Sequence, residues 1–176
     1  NSPLTNSTFN SMSSSWADYD NDGDFDVFIS NYGQDNELYR NEGGGLFSLI
    51  SDTICNDGGN SFGSSWGDID NDGDLDLYVG NAFSTGVQLQ QFLYINNGDG
   101  SFSRNSTDTV SKVSSWNYGN AFGDFDKDGD LDLLTANCHN GAEENRLFIN
   151  QTDQNGPNNN WIEIRCEGTT SNRSEI

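Results

Sequence analysis

The chain contains one aspartate-rich phrase three times, and this repetition constrains the fold more than any other feature of the sequence. Each copy is a nine-residue loop with aspartate at positions one, three, five, seven and nine, glycine at position six, and an aromatic residue two places before it. The loops span residues 18–26, 68–76 and 124–132, and their starts lie 50 and 56 residues apart. Three copies in register indicate a structural unit that is repeated along the chain.

Carboxylates at alternate positions around a glycine are typical of a loop that wraps a hard cation. Ca²⁺ takes six to eight oxygen ligands at roughly 2.3–2.6 Å, and a sharp turn is needed to gather them. Glycine provides the backbone conformation for that turn. A cage of many carboxylates suits Ca²⁺ better than the smaller Mg²⁺, which keeps several of its waters. The sequence therefore predicts about three calcium ions, one in each loop, rather than three acidic turns that merely face solvent.

Each loop is predicted to bind its ion through the side chains at positions one, three, five and nine and through the backbone carbonyl of position seven. The predicted metal-binding residues are Asp18, Asp20, Asp22, Asp24, Asp26, Asp68, Asp70, Asp72, Asp74, Asp76, Asp124, Asp126, Asp128, Asp130 and Asp132. Two carboxylates about 5 Å apart in an effective dielectric of about 20 repel each other by ~3 kcal/mol. A bound cation is therefore expected to stabilise the folded loops.

The loops begin like an EF-hand but do not continue as one. Position twelve, where an EF-hand has a bidentate glutamate, is Ile29, Val79 or Thr135. The residues after each loop alternate as in a β-strand instead of beginning a helix. The aspartate at position nine is therefore expected to complete the coordination shell.

The repeated unit extends well beyond the loop. Segments rich in β-branched and aromatic residues alternate with Gly, Asn and Asp, which is the pattern of short strands joined by turns. The second unit contains four such segments, at residues 62–67, 75–80, 91–96 and 100–104. Four antiparallel strands in about 40–50 residues is the plan of a β-propeller blade. We predict an all-β fold of about three four-stranded antiparallel blades, as part of a larger propeller.

Three blades cannot close a ring that usually needs four to eight. Either the chain is a fragment of a longer propeller, or its open edges pair with other copies or other chains. The aromatic residues before the loops, Trp16, Trp66 and Phe122, are expected to form the core between blades. The small residues before them suit a crowded innermost strand near the propeller axis.

Acidic residues dominate the charge of the chain. There are 28 Asp and Glu against 7 Lys and Arg, for a net charge of −21. A chain without clustered Lys and Arg is not expected to bind nucleic acid or to be attracted to anionic membranes, and no apolar run reaches the ~18 residues of a membrane span. The 4 Trp, 6 Tyr and 11 Phe supply apolar bulk that a disordered acidic tail lacks.

Calcium loops of this kind favour an extracellular, secreted or cell-surface location, where millimolar calcium would keep them filled. Four Asn-x-Ser/Thr sequons are candidate glycosylation sites, at Asn6, Asn105, Asn150 and Asn172. The three cysteines form neither a disulfide framework nor a zinc pattern. One disulfide with a free thiol, or buried small apolar side chains, both fit Cys55, Cys138 and Cys166.

The loops resemble the Asp-x-Asp-x-Asp-Gly-x-x-Asp motif of FG-GAP and VCBS-type repeats, which occur in seven-bladed propellers such as those of integrin α-subunits. The similarity spans roughly residues 9–150 and implies structural calcium in the turn between the first two strands of each blade. The last residues resemble the start of an ASPIC/UnbV segment, which typically follows such propellers in secreted proteins. We therefore divide the chain into blade 1 (1–57), blade 2 (58–110), blade 3 (111–159) and an ASPIC/UnbV-like segment (160–176).

The leading interpretation is an extracellular, calcium-stabilised propeller module for adhesion or recognition, with a protein or glycan on an extracellular surface as partner. The alternative is a structural subunit of a fibre or surface assembly, in which open blade edges pair with other copies of the chain. A calcium-dependent polysaccharide-active enzyme is the third interpretation. The chain has one histidine, His139, and adjacent Glu143 and Glu144, but neither a serine elbow nor a Cys/His pair, so we predict that it is not an enzyme. Trp116 with Tyr118 is the predicted ligand surface if one exists.

Overall fold

Segments with the strand pattern form antiparallel strands along the described part of the chain. The structure is a computed structural model that describes residues 3–6, 8–82, 89–138 and 143–151. In chain order its strands are β1 (Ser11–Ala17), β2 (Asp26–Asn31), β3 (Glu37–Asn41), β4 (Phe47–Ile50), β5 (Ser61–Gly67), β6 (Asp76–Asn81), β7 (Leu89–Gln90), β8 (Phe92–Asn96), β9 (Phe102–Asn105), β10 (Ser114–Ser115), β11 (Asn117–Gly123), β12 (Asp132–Asn137) and β13 (Arg146–Phe148). Short helical turns lie at Pro3–Thr5, Thr53–Cys55 and Thr109–Lys112.

The strands assemble into three antiparallel sheets with the connectivity of propeller blades. Blade 1 has the order β1-β2-β3-β4, blade 2 has β5-β6-β8-β9, and blade 3 has β11-β12-β13 within the described residues. The short strands β7 and β10 pair with each other. The predictions of an all-β fold and of antiparallel blades are confirmed, and the four strands predicted for the second unit correspond to β5, β6, β8 and β9.

The three blades share one strand register. Each first strand has a shift in register near its start, which is the mark of a β-bulge and increases the local twist. The aromatic residue before each loop lies opposite an aliphatic residue of the second strand: the pairs are Trp16 and Val27, Trp66 and Leu77, and Phe122 and Leu133. The repeat seen in the sequence is therefore a repeat of backbone pairing as well.

The first strands of neighbouring blades lie against each other. Ser15 Oγ lies 2.8 Å from Ser64 Oγ, and Ser65 Oγ donates a hydrogen bond to the carbonyl of Asn120 at 2.9 Å. A Cβ atom at Gly63 would come within 3.0 Å of a backbone oxygen of blade 3. The prediction that small residues mark a crowded first strand is confirmed, and the place of this strand near a propeller axis stays a prediction.

Two apolar cores fill the spaces between blades. The first contains buried residues from blade 1 and blade 2, with Ile50 and Trp66 packed on it: Tyr19, Phe28, Leu38, Ile54, Cys55, Leu77, Val79, Phe92, Tyr94 and Phe102. The second lies between blades 2 and 3 and contains Tyr78, Leu93 and Leu133, with Ile69, Ile95, Val110, Phe122 and Phe148 packed against them. The alternation of side chains along each strand supplies both cores, because one face of blade 2 turns toward each neighbour.

Trp66 and Phe122 confirm the prediction of aromatic residues between blades, whereas the prediction is wrong for Trp16. The Trp16 side chain is 55% exposed. Its ring contacts Phe47 of the same blade in an edge-to-face arrangement with 6.3 Å between centroids. Trp16 is more exposed than Trp66 and Phe122 because no sheet within the described residues packs on the face of blade 1 that carries it.

Candidate metal centres

Each aspartate loop joins the first strand of its blade to the second. The aspartate at position one holds the turn through backbone N–H groups: Asp18 accepts from Asp22 and Gly23 at 3.0 Å, and Asp68 accepts from the equivalent residues at 3.0 and 3.1 Å. In the third loop Asp124 accepts the N–H of Lys127 at 2.7 Å. These bonds within the chain curl the backbone around the carboxylates.

Two residues in each loop have positive φ. The glycine at position six has φ of 95°, 96° or 98° in the three loops, as the sequence predicts. Position four is also left-handed, at Asn21, Asn71 and Lys127, with φ of 57°, 60° and 66°. Sequence reasoning missed position four, although asparagine at two of the three copies is a signal, because asparagine tolerates this conformation better than most residues.

The loops bring carboxylates together as a cation site requires. One oxygen from each of three aspartates lies within 4.8 Å of the others in each loop: Asp18, Asp20 and Asp22 in the first, Asp68, Asp70 and Asp76 in the second, and Asp124, Asp126 and Asp132 in the third. Asp20 Oδ1 and Asp128 Oδ2 are buried and accept no hydrogen bond from the described residues. Buried carboxylate oxygens without a donor are costly, and a cation would satisfy them.

Burial and mutual repulsion both act on the clustered carboxyl groups. Desolvation, followed by the charge of Asp22, raises the pKa of Asp20. Desolvation also raises the pKa of Asp70, with Asp72 and Asp68 adding to the effect. A divalent cation favours the ionised form of such groups and removes the repulsion between them.

The aspartate at position nine has a second role that sequence reasoning missed. These three residues are buried, and each accepts one backbone N–H from position two of its loop and one from an asparagine at or just beyond the end of the third strand: Asn41 and Asn96 end their strands, and Asn150 lies two residues beyond β13. Desolvation raises the pKa of Asp26 to about 6 and that of Asp76 to about 7. Position nine therefore clamps the loop to the third strand in addition to being a predicted ligand.

The side chain at position seven links neighbouring loops. Asn21 Nδ2 in the first loop donates to Asp74 Oδ1 in the second at 2.7 Å, and Asn71 Nδ2 donates to Asp130 Oδ1 in the third at 2.6 Å. The backbone carbonyl of position seven stays the predicted ligand, while its carboxylate joins the loops into a row. The predicted ligand Asp72 accepts the N–H of its position-seven neighbour at 3.0 Å, as Asp22 does for Asp24 at 2.9 Å.

The predicted glycosylation sites differ in their surroundings. Asn6 is exposed, Asn105 accepts backbone N–H groups from Thr107 and Asp108 at 3.0 and 3.2 Å, and Asn150 donates to the carbonyl of Ile69 at 2.7 Å. A glycan at Asn150 would be carried on the nitrogen that makes this contact. Asn172, Cys166, His139 and residues 160–176 lie outside the described residues.

The predicted aromatic ligand surface is wrong, and one cysteine prediction is supported. Trp116 is only 7% exposed, and Tyr118 packs edge-on against Phe62 with 4.9 Å between centroids. Because Trp116 is buried, it does not form an exposed ligand surface with Tyr118. Cys55 is a buried free thiol whose pKa burial raises to about 11, while the free thiol of Cys138 is exposed. Cys55 thus behaves as a small apolar side chain.

Comparison with known proteins identifies the repeat. Residues 4–79 and 83–135 match the family described as FG-GAP-like repeat, and a search of curated proteins gives no match. Among the described residues no helix is long and apolar enough to cross a membrane. FG-GAP-like repeats build integrin-like β-propeller modules with recognition or structural roles, often bind calcium, and usually occur in extracellular or surface-associated proteins. The VCBS-type and ASPIC/UnbV resemblances stay predictions. Because the match covers most of its length, the chain belongs to the FG-GAP-like repeat family.

Proposed function

We propose that the protein is an extracellular, calcium-stabilised β-propeller module for adhesion or recognition, in which calcium has a structural role. The observation that carries the proposal is the convergence of three carboxylates in each of three equivalent loops. Family membership supports the same function, because FG-GAP-like repeats often bind calcium. The ligand set we propose is the one predicted from the sequence.

The residues of the loop hold the carboxylates in place and connect the calcium site to the rest of the blade. Position one fixes the turn, and position nine ties the loop to the third strand through two backbone N–H groups. When bound, calcium would supply positive charge and coordination bonds to carboxylates that otherwise repel one another. Since the unfolded chain cannot hold these carboxylates together, binding would stabilise the folded blades alone.

Removal of calcium tests the structural role. A site occupied at about 1,000 times its dissociation constant contributes roughly 4 kcal/mol, so we expect excess EDTA to lower the melting temperature by on the order of 10 °C. Asp20→Asn should remove part of the calcium response. Asp99→Asn is the matched control, because Asp99 is exposed, lies outside the three loops and accepts hydrogen bonds from Ser101 of its own turn. A melting temperature that is equal in calcium and in EDTA would refute the proposal.

The proposed partner is a protein or a glycan on an extracellular surface. The net charge of −21 favours neutral or basic partners over nucleic acid and anionic membranes. Binding to an array of glycans and extracellular protein domains, measured in calcium and again in EDTA, tests this proposal. We expect calcium-dependent binding to a limited set of ligands. Binding to none of them would remove recognition and leave an architectural role.

A structural subunit of an extracellular fibre or surface assembly is the second candidate. It is favoured by exposed apolar side chains in and just before the first strand of blade 1, where Phe9, Met12 and Trp16 are 43%, 45% and 55% exposed. In the second candidate these side chains pack on another copy of the chain. Light scattering across a range of protein concentrations should then show association, and Trp16→Ser should weaken it. A monomer at every concentration would argue against the assembly.

A further inference from the structure

Asn105-Ser106-Thr107 is a glycosylation sequon whose three residues all lie in the described part of the chain. Asn105 is the last residue of β9, the outermost strand of blade 2. It is partly exposed, and Ser106, Thr107 and Asp108 after it are exposed. An oligosaccharide needs open space around its asparagine, because it is bulky and hydrated. The surroundings of Asn105 provide that space.

The Asn105 side chain is fixed with its amide oxygen toward the backbone. Oδ1 accepts the backbone N–H groups of Thr107 and Asp108 at 3.0 and 3.2 Å and the Thr107 hydroxyl at 3.1 Å. These bonds form a turn of the Asx type. The amide nitrogen, Nδ2, donates to the exposed Asp108 carboxylate at 2.7 Å. Because an amide nitrogen carries two hydrogens, replacement of one of them by a sugar leaves the other for Asp108.

The amide nitrogen of Asn150, which belongs to another sequon, is held differently. It donates to the carbonyl of Ile69 in the preceding blade at 2.7 Å, and this hydrogen bond is partly buried. Asn96 has the equivalent position in blade 2, and its amide nitrogen donates to one carbonyl in the loop of each of the two blades that it joins, at 2.8 and 3.2 Å. An amide nitrogen at this position lies between two loops. A sugar on it would push the loops apart.

Asn105 lies at the end of blade 2 that is away from the calcium loop. It pairs with Leu93 of β8, whereas Phe102, at the other end of β9, pairs with Asn96. Asn96 in turn donates its backbone N–H to Asp76, the last residue of the loop. Three residues of a strand span about 10 Å, so Asn105 is roughly that much farther from the loop than Phe102 is. A sugar on Asn105 is therefore attached away from the predicted metal ligands.

We propose that Asn105 is a site at which the folded protein carries an N-linked oligosaccharide, and that Asn150 stays unmodified. This inference rests on the proposed extracellular function, because the sequon is modified in secreted proteins. In the reaction the Asn105 amide nitrogen bonds to the anomeric carbon of an oligosaccharide linked to a lipid diphosphate. The bond from that carbon to the diphosphate oxygen breaks, the lipid diphosphate leaves, and one amide hydrogen is lost as a proton.

Secretion of the full chain from eukaryotic cells that attach N-linked oligosaccharides tests the site. Peptide N-glycosidase converts a modified asparagine to aspartate, so peptide mass spectrometry of the secreted protein gives the occupancy of each sequon. We expect occupancy at Asn105 to exceed that at Asn150 by about 10-fold, because only a sugar on Asn150 disturbs a partly buried hydrogen bond between blades. Asn105→Gln and Thr107→Ala should each abolish the modification at Asn105. The matched control, Thr152→Ala, removes the Asn150 sequon and should leave the glycan content of the secreted protein unchanged.

Removal of the sugar separates this inference from the proposed function. Enzymatic deglycosylation of the folded protein should change its melting temperature by less than about 3 °C, and the effect of EDTA should be the same with and without the sugar. An unmodified Asn105, or equal occupancy at Asn105 and Asn150, overturns the inference even if EDTA lowers the melting temperature. A modified Asn105 in a protein whose melting temperature is equal in calcium and in EDTA supports the inference and contradicts the calcium-stabilised module.

Discussion

The interfaces on the two sides of blade 2 share the same hydrogen bonds between blades but differ in the apolar side chains that pack between them. In both, an asparagine at or just beyond the end of the third strand donates its side-chain amide to a loop carbonyl of the preceding blade, at 2.8 and 2.7 Å. Between blades 1 and 2 the rings of Tyr19, Trp66 and Phe102 lie 5.6–6.2 Å from one another. Between blades 2 and 3 the equivalents of the first two are Ile69 and Phe122, which line an apolar groove of about 740 Å³ between these blades. The difference teaches that hydrogen bonds position neighbouring blades while apolar contacts determine how strongly they hold.

The largest difference in stability between the two interfaces is expected when the aromatic residue before each loop is truncated to alanine. Trp66→Ala removes a ring that contacts Tyr19, Phe28 and Phe102, and we expect it to cost about 3–5 kcal/mol. Phe122→Ala should cost less, roughly 2–3 kcal/mol, because its ring is smaller and borders the groove. Urea unfolding followed by fluorescence and circular dichroism measures both.

Trp16→Ala is the matched control for this series. Trp16 occupies the same position in its blade as Trp66 but is 55% exposed, so its loss should cost less than about 1 kcal/mol. If all three truncations cost the same free energy, the effect would come from the repeat position within a blade and not from the interface. In that case the comparison of the two interfaces would be wrong.

Much of the architecture is predictable from sequence because it depends on local patterns. Loop spacing predicts the period, and alternating residues bounded by Gly and Asn predict the strands of blade 2. The convergence of carboxylates follows from spacing in the same way, because alternate residues of a tight loop point to one centre. These features need no knowledge of which blade packs on which.

The features that sequence reasoning missed depend on neighbours. The exposure of Trp16 follows from the lack of a covering sheet within the described residues, which the repeat pattern alone does not reveal. The clamp made by the position-nine aspartates joins residues that lie up to 20 positions apart. Trp116 resembled a surface aromatic because it lies outside the repeat pattern, yet tertiary packing leaves it only 7% exposed.

The position-nine aspartates should give the stability of the metal-free protein a characteristic pH dependence. Asp26 accepts the backbone N–H of Tyr19, and Asp76 accepts that of Ile69. Burial raises the pKa of these carboxyl groups to about 6 and about 7, above the unfolded value near 3.9. The folded state therefore binds these protons more tightly. In EDTA, stability should rise as the pH falls from about 7 toward 4, by up to ~1.4 kcal/mol per pH unit for each group.

In calcium the dependence should reverse, because ligation requires deprotonated carboxylates. Thermal melts between pH 4.5 and 8, in EDTA and in calcium, provide both curves. Asp76→Asn should flatten the EDTA curve around pH 6–7 more than Asp26→Asn does, since Asp76 has the higher pKa. A metal-free protein that loses stability steadily between pH 7 and pH 5 would show that other groups dominate.

The smallest effect on stability is expected for the hydrogen bonds between neighbouring loops, which run from Asn21 to Asp74 and from Asn71 to Asp130. Asn21→Gly and Asn71→Gly each remove one hydrogen bond to the next loop, and glycine tolerates the positive φ at these positions. Asn21 is exposed, so its loss should cost about 0.5 kcal/mol. Asn71 contacts the fully buried Asp130, so its loss should cost roughly 1–2 kcal/mol.

The same pair of variants shows whether these hydrogen bonds between loops couple the calcium sites or only position the blades. If the bridge from Asn71 holds the third loop in its binding conformation, Asn71→Gly should weaken calcium binding there by a few fold, measured by calorimetry against Asn21→Gly. Asn71→Asp is the matched comparison, because it places a second carboxylate beside Asp130 and should weaken binding further in the absence of salt. Equal calcium affinities in all three variants would mean that each loop binds alone, and that the bridges contribute only to blade position.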